Sequence, residues 1–334
     1  MIHARSRARA LLGCGLLIAV AGCADRDPSE SRTQASSQAA VQSNGANGSG
    51  SQAGVPAPAA PTAPAAPAAP SARVADVGDP TPSAQAMLEL INRARRDPTA
   101  EGVRLGIDLS GYTAQAPVSL NVQLTQAAAA HSQDMSTRGF FDHLNPDGVN
   151  ANGRVLDSGY PLHADFGTSR TINATENIAA GTGTVLDTPE EIHAALVIDR
   201  GVAGLVHRRA ILGDGPTYRS REVGLALLPG ATNYTTQEFA YTRTDRPFVL
   251  GVAFQDLNGD GILNGQEGRG QVPVTLTDAQ GRVVSSQTGT AGGFAFEVLT
   301  DGVFTLTVDG LSTQVTVSGE SVKVDLRDGA LVTY

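Results

Sequence analysis

Residues 121–139 read Asn121-Val-Gln-Leu-Thr-Gln-Ala-Ala-Ala-Ala-His-Ser-Gln-Asp-Met-Ser-Thr-Arg-Gly139, and this stretch sets the fold class. Asn121 has the short polar side chain that satisfies the free N–H groups of a first helical turn. Leu124, Ala128, His131 and Met135 follow at helical spacing on one face, and Gly139 suits a left-handed exit. Upstream, Thr81-Pro82 reads as a cap with a first-turn proline, and Ala84, Met87, Leu88, Ile91 and Ala94 keep helical spacing until Asp97-Pro98 interrupts. Downstream, Thr188-Pro189-Glu190-Glu191 has capping-box spacing, and Ile192, Leu196 and Asp199 form the inward face of a third helix. Strand-like runs come next, at Val223-Gly-Leu-Ala-Leu-Leu228 and around Glu238-Phe-Ala-Tyr-Thr242. Helices followed by strands predict a layered α+β domain over residues 81–245.

After Arg246-Pro247 the texture changes to short β-type runs separated by Gly and Asp: Phe248-Val-Leu-Gly-Val-Ala-Phe254, Val272-Pro-Val-Thr-Leu276, Phe294-Ala-Phe296, Phe304-Thr-Leu-Thr-Val308 and Val322-Lys-Val-Asp-Leu326. This spacing predicts a small all-β sandwich over residues 246–334. Near its start, Asp256-Leu-Asn258-Gly-Asp260-Gly261-Ile262-Leu-Asn264-Gly-Gln-Glu267 matches a calcium loop without a gap. Asp256, Asn258, Asp260, the Ile262 carbonyl and Glu267 are the expected oxygen ligands for Ca2+, and Gly261 permits the tightest turn. The following Gly268-Arg-Gly-Gln-Val-Pro-Val-Thr-Leu276 leads into a strand rather than a helix. The stretch from Gly251 to Phe296 resembles SdrD B-like (Cna B-like) surface repeats, which implies a structural metal that stiffens a spacer or adhesion unit.

The chain opens with Arg5, Arg7 and Arg9, then an apolar run from Leu11 to Val20. A charged start and a short apolar stretch read as a secretory signal over residues 1–23, too short for a helix spanning a bilayer, which takes about 20 residues. Its end, Val20-Ala-Gly-Cys23, is similar to a bacterial lipobox, which implies lipidation of Cys23 and a membrane anchor. Ala24 gives no aspartate-type inner-membrane retention signal, so the exported face of the envelope, at an outer membrane or cell surface, is the expected location. Cys14 lies in the removed segment and Cys23 takes the lipid, which leaves no disulfide and no thiol nucleophile. Residues 24–80 are Ser, Gln, Gly, Ala and Pro, including a Pro/Ala run from Pro56 to Pro70, and read as a disordered, partly extended spacer. A net charge of -9 lacks the basic footprint of a nucleic-acid binder, and that class is set aside.

Five ordered motifs carry a further resemblance: Leu90-Ile-Asn-Arg-Ala-Arg-Arg-Asp-Pro98, Ala130-His-Ser-Gln-Asp-Met135, Phe140-Phe-Asp-His143, Glu176-Asn-Ile-Ala179 and Val206-His-Arg-Arg-Ala-Ile-Leu212. Together they resemble a bacterial domain of the CAP (SCP-like, pathogenesis-related) superfamily. The resemblance implies an α-β-α sandwich whose cavity is lined by two histidines and two acids, in some members around a divalent cation. By motif these are His143, His207 and Glu176. The fourth departs from the family pattern, in which a second Glu precedes the second His within a helix; here Glu190, Glu191 and Asp199 compete. Glu191 has a capping role with Thr188. Asp199 falls on an apolar face, where a lone carboxylate is costly unless paired, and is the favoured fourth member. Two imidazoles and a carboxylate suit Zn2+ or a similar metal, with His143 and His207 as ligands; the same trio also suits water polarisation or a purely hydrogen-bonded cluster. His131 reads as a satisfied core histidine, and His163 and His193 as surface or loop residues.

Three functions compete: a ligand-binding CAP module for lipid or another envelope ligand, a metal-assisted hydrolase using His143, Glu176 and His207, and an adhesion protein. Fold resemblance supports binding or interaction ahead of hydrolysis, because fold does not imply reaction.

Overall fold

A computed structural model describes residues 19–21, 69–167 and 176–334. Cys23 and most of the expected spacer therefore lie outside the described residues. Thr81 caps α1 (Pro82–Arg96), its hydroxyl accepting from the Ala84 N–H at 3.2 Å. The interruption at Asp97-Pro98 proves to be a start as well as a stop, because proline is well placed at a first helical position. Asp97 closes α1 and caps α2 (Pro98–Leu105) by accepting from the Ala100 N–H at 2.9 Å. The expected central helix is α3 (Val122–Arg138), with Asn121 accepting from the Gln123 and Leu124 N–H groups. Gly139 ends it at φ 68, and Leu124, Ala128, His131 and Met135 are wholly buried. Three shorter helices follow: α4 (Ala151–Asp157), α5 (Pro189–Ile198) and α6 (Val206–Leu212).

The first sheet comprises β1 (Ala19–Ala21), β3 (Ser119–Leu120), β4 (Glu176–Thr182), β5 (Glu222–Leu228) and β6 (Thr232–Ala240), in the order β1-β4-β6-β5-β3. Only β3 and β5 run parallel. Helices cover both faces. Gly224 of β5 meets α3, and a Cβ there would lie 2.1 Å from the Leu124 carbonyl carbon, so glycine is what admits the helix this closely. Its neighbours Val223 and Leu225 join the opposite core with Met87 and Ile91 of α1, Leu196 of α5 and Ile211 of α6. Glu176, Glu238 and Gly224 stand opposite one another across β4, β6 and β5, so all three belong to the α3 face.

The all-β region has two sheets. One has the order β14 (Ala330–Thr333), β13 (Val322–Arg327), β7 (Phe248–Phe254), β10 (Gly293–Val298) and β2 (Ala72–Val74). The other has the order β12 (Leu311–Val317), β11 (Gly302–Val308), β8 (Pro273–Asp278) and β9 (Val283–Gln287). They share one core, with Val249, Phe296 and Val324 from the first packed among Leu276, Phe304 and Leu306 from the second.

The presence of β2 corrects the spacer reading. Ala72–Val74 pairs antiparallel with β10, and Asp79 accepts from the Thr290 N–H at 2.8 Å, so the last residues assigned to the spacer belong to the folded unit. The helical region is thus bracketed in sequence by strands of one sheet, and Pro70–Tyr334 fold as one compact unit. Charged contacts tie the two regions: Lys323 Nζ lies 2.8 Å from Glu89 of α1 and also contacts Asp325, and Arg221 pairs with Glu320. Among the described residues, no helix is long and apolar enough to cross a membrane.

Candidate functional site

The first residue of β4, Glu176, is wholly buried on the α3 face. His143, in the loop after α3, meets its Oε1 through Nδ1 at 2.7 Å, and Arg154 of α4 donates to Oε2 at 2.6 Å. The Arg154 guanidinium also donates to the carbonyls of His143 and Val149, so the same side chain grips the loop that carries the histidine. Burial pushes Glu176 up, but Arg154 and the His143 hydrogen bond more than offset it and hold the carboxyl at about 2. Glu176 is therefore an anion, and His143 Nδ1 is the donor.

His131 stands 3.7 Å from the same carboxylate. Its Nε2 lies 3.1 Å from the Asp142 carbonyl, which can only accept, so Nε2 carries the proton. Burial lowers the His131 pKa against the pull of Glu176, leaving a neutral imidazole. The expected satisfied core histidine is thus bonded on one side only, since its Nδ1 is buried without a hydrogen bond.

His207, at the start of α6, belongs to a second pair. Asp199 closes α5 in the left-handed conformation at φ 53 and turns its carboxylate back onto α6. Oδ1 accepts from His207 Nδ1 at 2.6 Å, and Oδ2 accepts the backbone N–H groups of His207 and Arg208 at 3.1 and 3.3 Å. One aspartate therefore orients the imidazole and caps the helix beneath it, and of Glu190, Glu191 and Asp199 it is Asp199 that bonds to the His207 ring. Glu191 stays at the other end, where its N–H reaches Thr188 and its carboxylate reaches the Asp187 N–H. The residue after Glu176, Asn177, points to the other face of the sheet, and its amide reaches the His207 carbonyl and Gln237. The four expected cavity residues thus form two hydrogen-bonded pairs, His143–Glu176 and Asp199–His207, lying toward opposite faces of the sheet around the start of β4.

Each pair leaves one imidazole nitrogen over. His143 Nε2 and His207 Nε2 are both buried without a hydrogen bond, while each Nδ1 is held by a carboxylate. That is how zinc-binding histidines are oriented. A zinc site takes about three protein ligands, however, and among the described residues no group of three His, Cys, Asp or Glu side chains stands close enough to hold a metal. His143 and His207 supply nitrogens of the kind zinc takes, and a complete site would need at least one further ligand beside them.

The loop of residues 256–267 folds on its own amides. Asp256 accepts from the N–H groups of Gly259, Asp260 and Gly261; Glu267 accepts from Leu257 and Asn264. Gly261 has φ 81, the conformation expected of it. Asp260 is drawn to the side-chain amides of Asn258 and Asn264. The oxygens are of the type calcium takes, and among the described residues no three carboxylates stand close enough together to hold a metal.

Sequence reading missed two buried groups. Arg154 looks like any surface arginine in Asn-Gly-Arg-Val. His193, read as a surface or loop residue, is wholly buried, with Nε2 2.8 Å from Glu101, which Arg93 and Arg104 also contact. The signal was present, since His193 stands beside Ile192 and one turn before Val197, all on the buried side of α5.

Comparison with known families agrees with the motif order. Residues 88–238 match the CAP family, described as the cysteine-rich secretory protein family. No curated protein matches the chain.

Proposed function

We propose that this chain is a lipoprotein of the exported cell envelope, anchored through Cys23, whose CAP domain serves ligand binding or interaction and whose C-terminal region is a calcium-stiffened, SdrD B-like β-sandwich. A CAP domain favours such a role, and helices on both faces of the first sheet support the α-β-α sandwich of the family. The observation that carries binding ahead of hydrolysis is the charge pairing of Glu176 with Arg154 and His143. A general acid must hold a proton near the working pH, whereas this carboxyl is kept at about 2. A general base works best with a pKa near the working pH as well, and the Arg154 and His143 contacts hold this one far below it. The cluster is built to hold a shape.

Processing before Cys23 would remove β1 and leave β4 as the outer edge of the first sheet. Cys23→Ala should move the protein out of the detergent phase in phase separation; unchanged partition would count against the anchor. Native mass spectrometry of the purified full chain tests the binding reading, with a retained lipid or envelope fragment as the expected result. Divalent-ion-dependent ester or peptide hydrolysis that Glu176→Gln abolishes would overturn it. A metal-assisted hydrolase is the second reading, and the observation in its favour is the pair of unbonded Nε2 atoms on His143 and His207.

A further inference from the structure

A cavity of about 330 Å³ lies between α1 and the all-β region, away from the histidine pairs. Its volume is at the small end of the range for ligand pockets. Pro117, Phe254, Ile262, Leu263 and Tyr334 supply apolar wall, and Arg93 and Arg96, on successive turns of α1, supply cationic wall. The acidic groups that line it are already engaged: Glu89 and Asp325 both contact Lys323, and Glu320 pairs with Arg221.

The two arginines are not engaged to the same degree. Arg93 donates through Nε to Glu101 at 3.1 Å, a carboxylate it shares with Arg104 and His193, and its Nη2 is buried without a hydrogen bond. An arginine presents five donors, so this one is under-used where burial makes an unmet donor costly. Arg96 has no carboxylate partner among the described residues; its guanidinium lies 4.3 Å over the Tyr334 ring. The cavity thus combines two arginines at one side with an apolar floor, while each of its carboxylates is in contact with Lys323 or Arg221.

We propose that this cavity binds a small monocarboxylate with an apolar body, its carboxylate taken by Arg93 and Arg96 and its body set against Phe254, Ile262, Leu263 and Tyr334. Guanidinium groups match a planar carboxylate better than any other donor does. The site draws its walls from both regions of the molecule, and Ile262 and Leu263 belong to the acidic loop, so occupancy fastens the loop to α1. The site is separate from the CAP histidines and does not depend on the binding role proposed for them.

Isothermal titration of the full chain in detergent with sodium benzoate, and with neutral benzamide as the matched control, tests the site. Benzoate should bind and benzamide should not, because only benzoate carries the charge. Arg96→Gln removes one charged donor pair from an exposed, non-structural position and should weaken benzoate by about tenfold or more. Arg93→Gln should do the same, and Arg138→Gln, on the far side of the sheet, should leave affinity unchanged. Absence of benzoate binding at millimolar concentration, equal binding of benzamide, or unaltered affinity in a folded Arg96→Gln protein would each overturn the proposal.

Discussion

Glu176 and Glu267 are both buried carboxylates, yet they are satisfied by different means. Glu176 faces a guanidinium and an imidazole, and its charge is cancelled by the protein itself. Glu267 faces two backbone N–H groups, in a loop that also carries Asp256 and Asp260, so dipoles rather than charges hold it. A third carboxylate, Glu222, lies between these cases. It accepts from the Tyr160 hydroxyl at 2.6 Å and the Asn121 amide at 2.8 Å, and with no cation in contact, burial pushes it up to about 7. The comparison separates a finished charge from an unfinished one. Where a cation is built in, the charge is met within the protein; where only neutral donors are present, an added proton or cation has a charge left to meet.

The largest expected effect breaks the first case. Arg154→Met leaves Glu176 buried without its guanidinium partner, and removing one partner of a buried pair costs about 3–5 kcal/mol. Urea unfolding of the variant should show that loss. A change below about 1 kcal/mol would mean the carboxylate does not depend on the arginine.

Next in size is the pH dependence of the second case. Glu222 has its folded pKa raised from 4.5 to about 7, so its contribution is fully present below 4.5 and is lost as pH rises through about 7, a difference of about 3 kcal/mol. Glu176 runs the other way: its folded pKa falls from 4.5 to about 2, so its contribution is present above 4.5 and is lost as pH falls towards 2. Glu222→Gln should therefore flatten the decline in melting temperature between 4.5 and 7 while leaving the acid-side loss in place. An unchanged decline would place its origin elsewhere.

The third case is sharpened by calcium. Binding to the folded state at a hundredfold excess over Kd stabilises by about 2.7 kcal/mol, or several degrees of melting temperature. The full chain should melt later in calcium than in EDTA, and magnesium should substitute poorly, since it retains its waters and demands octahedral geometry. Glu267→Gln should abolish most of the gain. Identical melting in all three conditions would reduce the loop to a turn. The full chain is the right sample, because a fragment starting at residue 246 would lack β2, an edge strand of its own sheet.

The smallest effect is local. Thr188→Ala removes the hydroxyl that accepts from Glu191 N–H, at a cost of about 1 kcal/mol, and loosens the helix that ends at Asp199. Circular dichroism melting measures it, and a loss near that of Arg154→Met would contradict a purely local cap.

How much of this was legible in the sequence follows from where the signals lie. The caps at Thr81, Asn121 and Thr188 and the exit at Gly139 are local chemistry, and each appears where it was read. β4 was legible only as a family motif, because it is buried along nearly its whole length beneath helices on both faces, and a strand without a wet side shows no alternation. β2 is three residues at the end of a Pro/Ala run, and only its pairing with β10, more than two hundred positions later, makes it a strand. Arg154 was invisible for a related reason: its carboxylate partner lies 22 positions later, and nothing in its own neighbourhood marks it. Asp199 was singled out because a carboxylate on an apolar face demands a partner, a physical rule needing no alignment, and the partner it has is His207.

The pairing of Ala72–Val74 with β10 has one further consequence, in mechanics. If the chain is anchored at Cys23, any pull from the membrane enters the folded unit at Ser71, whose carbonyl accepts from the Leu299 and Thr300 N–H groups, and passes next into the β2–β10 ladder. The load falls first on an edge strand of the all-β region, and the segments that carry His143 and His207 lie further along the chain, behind that strand. With such an anchor, tension on the tether would load β2 before it reached the histidine pairs, and this short ladder would act as a mechanical fuse for the rest of the molecule.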